Sequence, residues 1–255
     1  HHELNPERAK NIVRLLDKIP RLKSTEFTNK NILNTYCILP IRGSDMIVEN
    51  KRLINLTINC IKKSNFISKI IISTDNKKQL NVENEFNVDV IIRPNDLSKK
   101  ESSLEDVLQH ALLEIESKGD YCDYLAVAEI IYPFRDLNVI DEIISMMEDE
   151  TIDTIFAGWK ESRATLFGED INLAMLGGTS WALPSSQRHG DIITSLIGYF
   201  TVTKPKNVRK KSIFKGNIKT HCIDERNNSI VCRSQKELLN LENLINNSIK
   251  HDSLK

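Results

Sequence analysis

The stretch that decides the fold is Leu39-Pro-Ile-Arg-Gly-Ser-Asp-Met-Ile-Val-Glu-Asn-Lys51. Ahead of it, Tyr36-Cys-Ile-Leu-Pro-Ile41 is a short apolar run with the character of a buried strand. Behind it, Leu53, Leu56, Ile58, Cys60 and Ile61 make a helical pattern. A strand that opens into a loop with two fixed cations, Arg42 and Lys51, and then into a helix is a place to hold phosphates. A helix N-terminus offers free N–H groups and the positive end of a dipole. The loop contains neither G-x-x-x-x-G-K-[ST] nor G-x-G-x-x-G, so it is neither of the two common phosphate loops.

Outward from this loop, strands and helices alternate. Ile67–Ser73, Val88–Ile92, Tyr124–Ala128 and Thr154–Ala157 are β-rich runs. Helical patterns lie between them, at about 52–64, 103–117 and 136–149. Short apolar strands alternating with helices imply an α/β fold, a mostly parallel Rossmann-like sheet with helices on both faces. Ligands of such sheets sit at the carboxyl ends of the strands. From Gly158 to Gly190 the rhythm breaks, with Gly177-Gly178 and Pro184, into a loop or hairpin excursion. The sheet resumes at Gly198-Tyr-Phe-Thr-Val-Thr203, a basic stretch runs from Lys204 to Lys215, and a final helix is expected over about 235–249. Upstream, Ile12, Leu15, Leu16 and Ile19 have helical spacing, and the polar stretch Lys23–Asn34 separates them from the core. The organisation is therefore residues 1–35 as tag remnant (His1-His2), helix and linker, then 36–250 as the main domain.

Composition sets bounds. The 35 basic and 35 acidic residues cancel, so charge gives no argument for nucleic acid or a membrane surface. No apolar run approaches a bilayer span. The five cysteines are scattered, odd in number and lack C-x-x-C, and read as reduced core thiols of a cytoplasmic protein.

The loop's spacing resembles the nucleotide loop of the CMP-sialic acid and CMP-Kdo synthetases, sugar-activating cytidylyltransferases whose loop reads roughly A-R-G-G-S-K-G-I-P-x-K-N. Arg42, Gly43 and Lys51 fall on its first Arg, first Gly and second Lys, while Met46 and Ile47 replace its first Lys and following Gly. The resemblance continues in order. Ile72-Ser-Thr-Asp75 matches an S-T-D strand end, which is also ordinary turn chemistry. Arg93-Pro94 matches an R-P pair, the Pro fixing the exit direction. Glu101-Ser-Ser-Leu-Glu-Asp-Val-Leu108 matches A-S-S-x-x-D-V-L, and its Ser102/Glu105 or Ser103/Asp106 pair also reads as a capping box.

Two segments depart from the family pattern. Val127–Arg135 falls on L-L-Q-P-T-S-P-L-R, the loop that touches the sugar acid. Pro133 and Arg135 are kept, Glu129 takes the Gln place, and Ile130, Ile131 and Tyr132 replace Pro-Thr-Ser. A carboxylate at Glu129 repels an acidic substrate unless it binds a cation. Ser229–Leu238 falls on V-D-I-D-T-x-x-D-L, whose two Asp residues hold Mg²⁺; Val231 and Arg233 stand there instead. Ser234 and Glu237 keep the capping box of the last helix. Arg188 and His189 are the clustered polar residues of the excursion.

The resemblance implies a fold like the nucleotide-diphospho-sugar transferases and attack of an acceptor oxygen on the α-phosphate of CTP, with Mg²⁺ arriving as Mg-CTP. It implies triphosphate contacts from Arg42 and Lys51, nucleotide contacts from Pro40, Gly43, Ser44, Asn50, Ser73, Asp75 and Arg93, and acceptor contacts from Ser102, Ser103, Glu129, Tyr132, Arg135 and Arg188. Asp75 is the candidate metal ligand. It also implies a homodimer built through the excursion. Three readings stay open: a CMP-sugar synthetase for a sialic, legionaminic or Kdo-like acid; a cytidylyltransferase for another acceptor, such as a phosphonate or phosphorylated small molecule; and a non-catalytic member.

Overall fold

The computed structural model describes residues 34–42, 51–75, 87–99, 101–161, 165–169, 172–176, 192–223, 230–234 and 236–243. The upstream helix, most of the Arg42–Lys51 loop, and Arg188 and His189 in the excursion lie outside them.

β1 (Thr35–Ile41) is the centre of the parallel part of the sheet. It pairs in parallel with β2 (Ile67–Thr74) on one side and β4 (Tyr124–Val127) on the other, and β2 pairs with β3 (Asp89–Ile92). The connections are α1 (Lys51–Ile61), α2 (Leu104–Ser117) and α3 (Leu137–Ser145). Side chains along a strand alternate between faces, and the apolar residues of β1 serve both. Cys37, Leu39 and Ile41 pack with Leu53, Ile54 and Ile58 of α1 and Ile140, Ile143 and Ile144 of α3. Tyr36 and Ile38 pack with Leu108, Ala111 and Leu112 of α2. The strand is apolar throughout because helices cover both of its faces.

The far half of the sheet is less regular. β5 (Thr154–Glu161) leads into a separate hairpin, β6 (Thr165–Glu169) with β7 (Asn172–Leu176), and the chain returns as β8 (Ile192–Ser195). β8 runs antiparallel to the outer half of β5, and β9 (Thr201–Thr203) runs antiparallel to its inner half and to β4. β8 and β9 thus bring antiparallel pairing into a sheet whose other pairs are parallel. Between β8 and β9 the chain kinks through residues 196–200.

The Lys204–Lys215 stretch contains α4 (Pro205–Arg209) and leads to β10 (Ile218–Cys222), which pairs in parallel with β5 at the sheet edge. The sequence reading does not contain β10. Its side chains are half-buried or exposed, so it carries little apolar signal. The stretch's cations are structural. Lys206 and Lys204 reach Asp153 at 2.9 and 3.4 Å, and Arg209 reaches Glu116 at 2.7 Å. Lys206 foremost holds the Asp153 carboxyl down at about 2. The final helix is described over 236–243.

Candidate active site

A cleft of about 290 Å³ opens at the carboxyl ends of β1, β3 and β4. One wall is cationic. Arg42 follows β1, Arg93 follows β3, and Lys99 ends the short 3₁₀ turn Asn95–Ser98. Arg42 Nη1 donates to the Lys99 carbonyl at 3.4 Å, which brings those two residues together. Arg93 is buried, with its N–H on the Thr74 carbonyl and Nη2 on the Ile41 carbonyl, both at 2.7 Å. It thereby ties the ends of β1, β2 and β3 to one another. Its Nε has no hydrogen-bond partner among the described residues. Burial holds the Arg93 guanidinium below its ordinary value; Asp75 acts against that shift and Arg42 adds to it.

On the β4 side, the loop after β4 lines the cleft with Glu129, Ile130 and Ile131. Arg135 builds this loop. Its Nε donates to the Tyr199 carbonyl at 2.5 Å, Nη1 to the Tyr132 carbonyl at 2.6 Å and Thr57 Oγ1 at 3.2 Å, and Nη2 to the Gly198 carbonyl at 3.0 Å and the Glu129 carbonyl. All five N–H groups of a guanidinium are thereby used. Burial pulls Arg135 down to about 10, so it stays charged at neutral pH. The rings of Tyr132 and Tyr199 lie 5.7 and 5.8 Å from its centre and meet each other edge-on. Glu129 packs on the chain at Gly198, where an added Cβ would lie 2.6 Å from its Cδ. The C-terminal segment docks on the same loop, Cys232 N–H donating to the Ile131 carbonyl at 2.7 Å.

Arg42 and Arg93, with a buried Arg93 donor unpaired among the described residues, suit a polyphosphate, and Lys99 adds an exposed ammonium that now pairs with Asp96 at 3.2 Å. The profile of the cytidylyltransferase family matches residues 20–170, more than half of the chain and including both walls. The chain belongs to the cytidylyltransferase family. It is a CTP-using nucleotidyltransferase. Solved structures agree on the fold. A 4-diphosphocytidyl-2C-methyl-D-erythritol synthase from Anaerococcus prevotii superposes with a TM-score of 0.61 at 10% identity, over 84% of this chain and 97% of that one. A CMP:2-keto-3-deoxy-manno-octonic acid synthetase solved with CTP superposes at 0.56 and 10% identity, over 84% and 99%. The bifunctional IspDF from Campylobacter jejuni does so at 0.53 and 15% identity, over 80% and 53%. No curated protein sequence matches.

In this cytidylyltransferase, Pro40, Arg42, Arg93, Ser102 and Glu129 come together on the cleft, as their place in the sequence suggests. Lys51 begins α1, and Asp75 directly follows β2 and acts on Arg93 electrostatically. Gly43, Ser44, Asn50 and Arg188 lie outside the described residues.

Four of the expected contact residues lie off the cleft lining or are engaged elsewhere. Ser73 is fully buried in β2 and off the cleft wall, because its strand position points it into the sheet's packing. Ser103 is the N-cap of α2, accepting from Asp106 N–H at 3.1 Å and donating to its carboxylate at 2.7 Å, so it is the cap of the two candidate serines. Tyr132 turns inward onto Tyr199 and Arg135, leaving the cleft to Ile130 and Ile131. Arg135 is enclosed by carbonyls, so it shapes the loop and offers no N–H to an acceptor. Lys99 is the cation that sequence reading missed. The available signal was a lysine between the Arg93-Pro94 strand exit and the Ser103 cap.

The donor set for Mg²⁺ is poor. No three His, Cys, Asp or Glu side chains meet in a metal-holding group among the described residues. Val231 and Arg233, at the places of the resembled Asp pair, are exposed beside the Ile131 loop. Neither supplies the oxygen that Mg²⁺ requires.

Replacing Arg135 removes the donors to the Tyr199 and Tyr132 carbonyls, at roughly 1–3 kcal/mol each before relaxation, and weakens the bonding of the Gly198 and Glu129 carbonyls. Arg135→Met is expected to lower unfolding stability by about 3–5 kcal/mol. Urea denaturation followed by circular dichroism measures it, and a loss below about 1 kcal/mol would contradict the clamp.

Proposed function

We propose that the chain transfers CMP from CTP to a phosphate or phosphonate oxygen of a small acceptor, releasing pyrophosphate. The acceptor oxygen attacks the α-phosphorus, the bond to the α,β-bridging oxygen breaks, and pyrophosphate leaves with that electron pair. The observation that carries this reading is the cleft's polarity, with Arg42, Arg93 and Lys99 on one wall and Glu129, Ile130 and Ile131 on the other. The cations bind the triphosphate and gather the charge of the departing pyrophosphate. Lys51 adds a fourth charge at the start of α1, and Gly43 admits backbone N–H groups to the phosphates. Arg135 positions the acceptor wall. Asp75 is the candidate carboxylate to hold Mg²⁺, which would arrive as Mg-CTP and would supply neutralisation of the phosphate charge.

A second reading keeps a sialic, legionaminic or Kdo-like acid as acceptor. The motif order through residues 36–246 favours it, as does the fold shared with the CMP:2-keto-3-deoxy-manno-octonic acid synthetase. Against it, the cleft meets a sugar carboxylate with Glu129, and Arg135 is occupied. The 4-diphosphocytidyl-2C-methyl-D-erythritol synthases, whose names describe a diphosphate-linked cytidyl product, support the phosphorylated class by analogy. A cytoplasmic location is part of this proposal; separately, among the described residues no helix is long and apolar enough to cross a membrane.

A ligand that binds the native state stabilises it by mass action. CTP is expected to raise the melting temperature more than ATP, GTP or UTP. Lys51→Ala is expected to remove most of that shift; an unchanged shift contradicts the assignment of this loop to phosphate.

The chain is further proposed to form a homodimer through the 158–190 excursion, which carries the β6–β7 hairpin outside the main sheet. Trp181 lies outside the described residues and is placed at that interface from sequence alone. Light scattering should give about twice the 29.2 kDa chain mass, falling toward one chain mass in Trp181→Glu. A wild-type mass near one chain at micromolar concentration excludes the dimer.

A further inference from the structure

A triphosphate on Arg42, Arg93 and Lys99 leaves Glu129 without a task. Its side chain is half-buried on the β4 side of the cleft. Its backbone is fixed at both ends, the N–H on the Gly198 carbonyl at 2.8 Å and the carbonyl on Arg135. Its side chain lies against the bare Cα of Gly198, which leaves no room for even a methyl group. The carboxylate is therefore placed with care, yet among the described residues it accepts no hydrogen bond and joins no ion pair. Arg135 acts on it only through space, because every guanidinium N–H is aimed elsewhere. Ile130 and Ile131 beside it bring no side-chain donor. Burial pushes the carboxyl up from its ordinary range, with Arg135 pulling the other way.

A half-buried carboxylate without donors loses hydration and, in the free protein, regains only the through-space attraction of Arg135, which burial outweighs. A neutral amide would serve a hydroxyl or a base's amino group at lower cost. A carboxylate repays its desolvation when it meets a cation. Phosphate cannot sit against it, so the group it meets belongs to the far end of the acceptor. A divalent metal is the poorer fit, because it needs several oxygen ligands and no metal-holding group of three is present among the described residues.

We propose that Glu129 binds a protonated amine, so that the acceptor is a phosphorylated or phosphonate amine, its anionic end on the cationic wall and its ammonium between Glu129 and the two isoleucines. This rests on the cytidylyl-transfer reading above. The ammonium takes no part in bond making; Glu129 sets specificity.

The test uses the full chain with saturating CTP and Mg²⁺ and two probes of equal length, 2-aminoethyl phosphate and 2-hydroxyethyl phosphate. The wild type is expected to prefer the amine in kcat/KM by about tenfold or more, mostly through KM. Glu129→Gln, which keeps the side chain's shape, is expected to erase that preference by raising KM for the amine. Equal use of the two probes by the wild type, use of neither, or a preference that survives in Glu129→Gln overturns the proposal. So does a Glu129→Gln effect that appears as weaker CTP binding or as a higher Mg²⁺ requirement, which would give the carboxylate to the base or the metal. The wild-type melting shift with CTP separates the two levels. Its presence without an amine preference defeats this proposal alone, and its absence defeats the transfer reading beneath it.

Discussion

The buried guanidinium of Arg135 is the constraint on which the rest of the site depends. It joins three elements: the loop after β4, the kink between β8 and β9, and α1 through Thr57. A buried charge is tolerated when all of its donors are met. Here carbonyl oxygens and one hydroxyl meet all of them, and two tyrosine rings flank the group. Lysine would not substitute, since a point charge with three donors cannot span a fork of carbonyls. At the kink the Gly198 and Tyr199 carbonyls both accept from Arg135, and Gly198 also accepts from the Glu129 N–H.

With the loop fixed, the cleft acquires opposite ends. Arg93 closes the cationic end by tying β1, β2 and β3 together, and it does so with donors to spare. Glu129 stands at the other end, on the wall that Arg135 holds. Phosphoryl transfer asks a protein mainly to position reactants and neutralise charge. A rigid cleft with cations on one side and a single held carboxylate on the other can orient a dipolar acceptor by charge alone.

The elements that were legible in the sequence are those with local signals. The strand–loop–helix order around Arg42 needs only apolar periodicity. The caps at Ser103 and Ser234 need a hydroxyl and a carboxylate three residues apart, and both form. Coverage of β1 by helices on both faces follows from its unbroken apolar run. What was not legible depends on long-range pairing or on side-chain direction. The antiparallel sense of β8 and β9 is set by where the hairpin returns. β10 is an edge strand with little apolar content. Tyr132 sits in a loop where an aromatic has no periodicity to declare its face, and only Arg135 and Tyr199 decide that it turns inward. Lys99 reaches the cleft because a 3₁₀ turn folds it back beside Arg42, a geometry no spacing rule encodes.

Phosphorus NMR reads cytidylyl transfer in the cleft directly. With CTP, Mg²⁺ and a phosphorylated amine, the account predicts loss of the three CTP resonances and matched growth of pyrophosphate and a new cytidylyl conjugate, each growing at the rate CTP disappears. Unchanged CTP, or hydrolysis to CMP and pyrophosphate with no conjugate, in the presence of phosphorylated and sugar-acid acceptors alike, would contradict it.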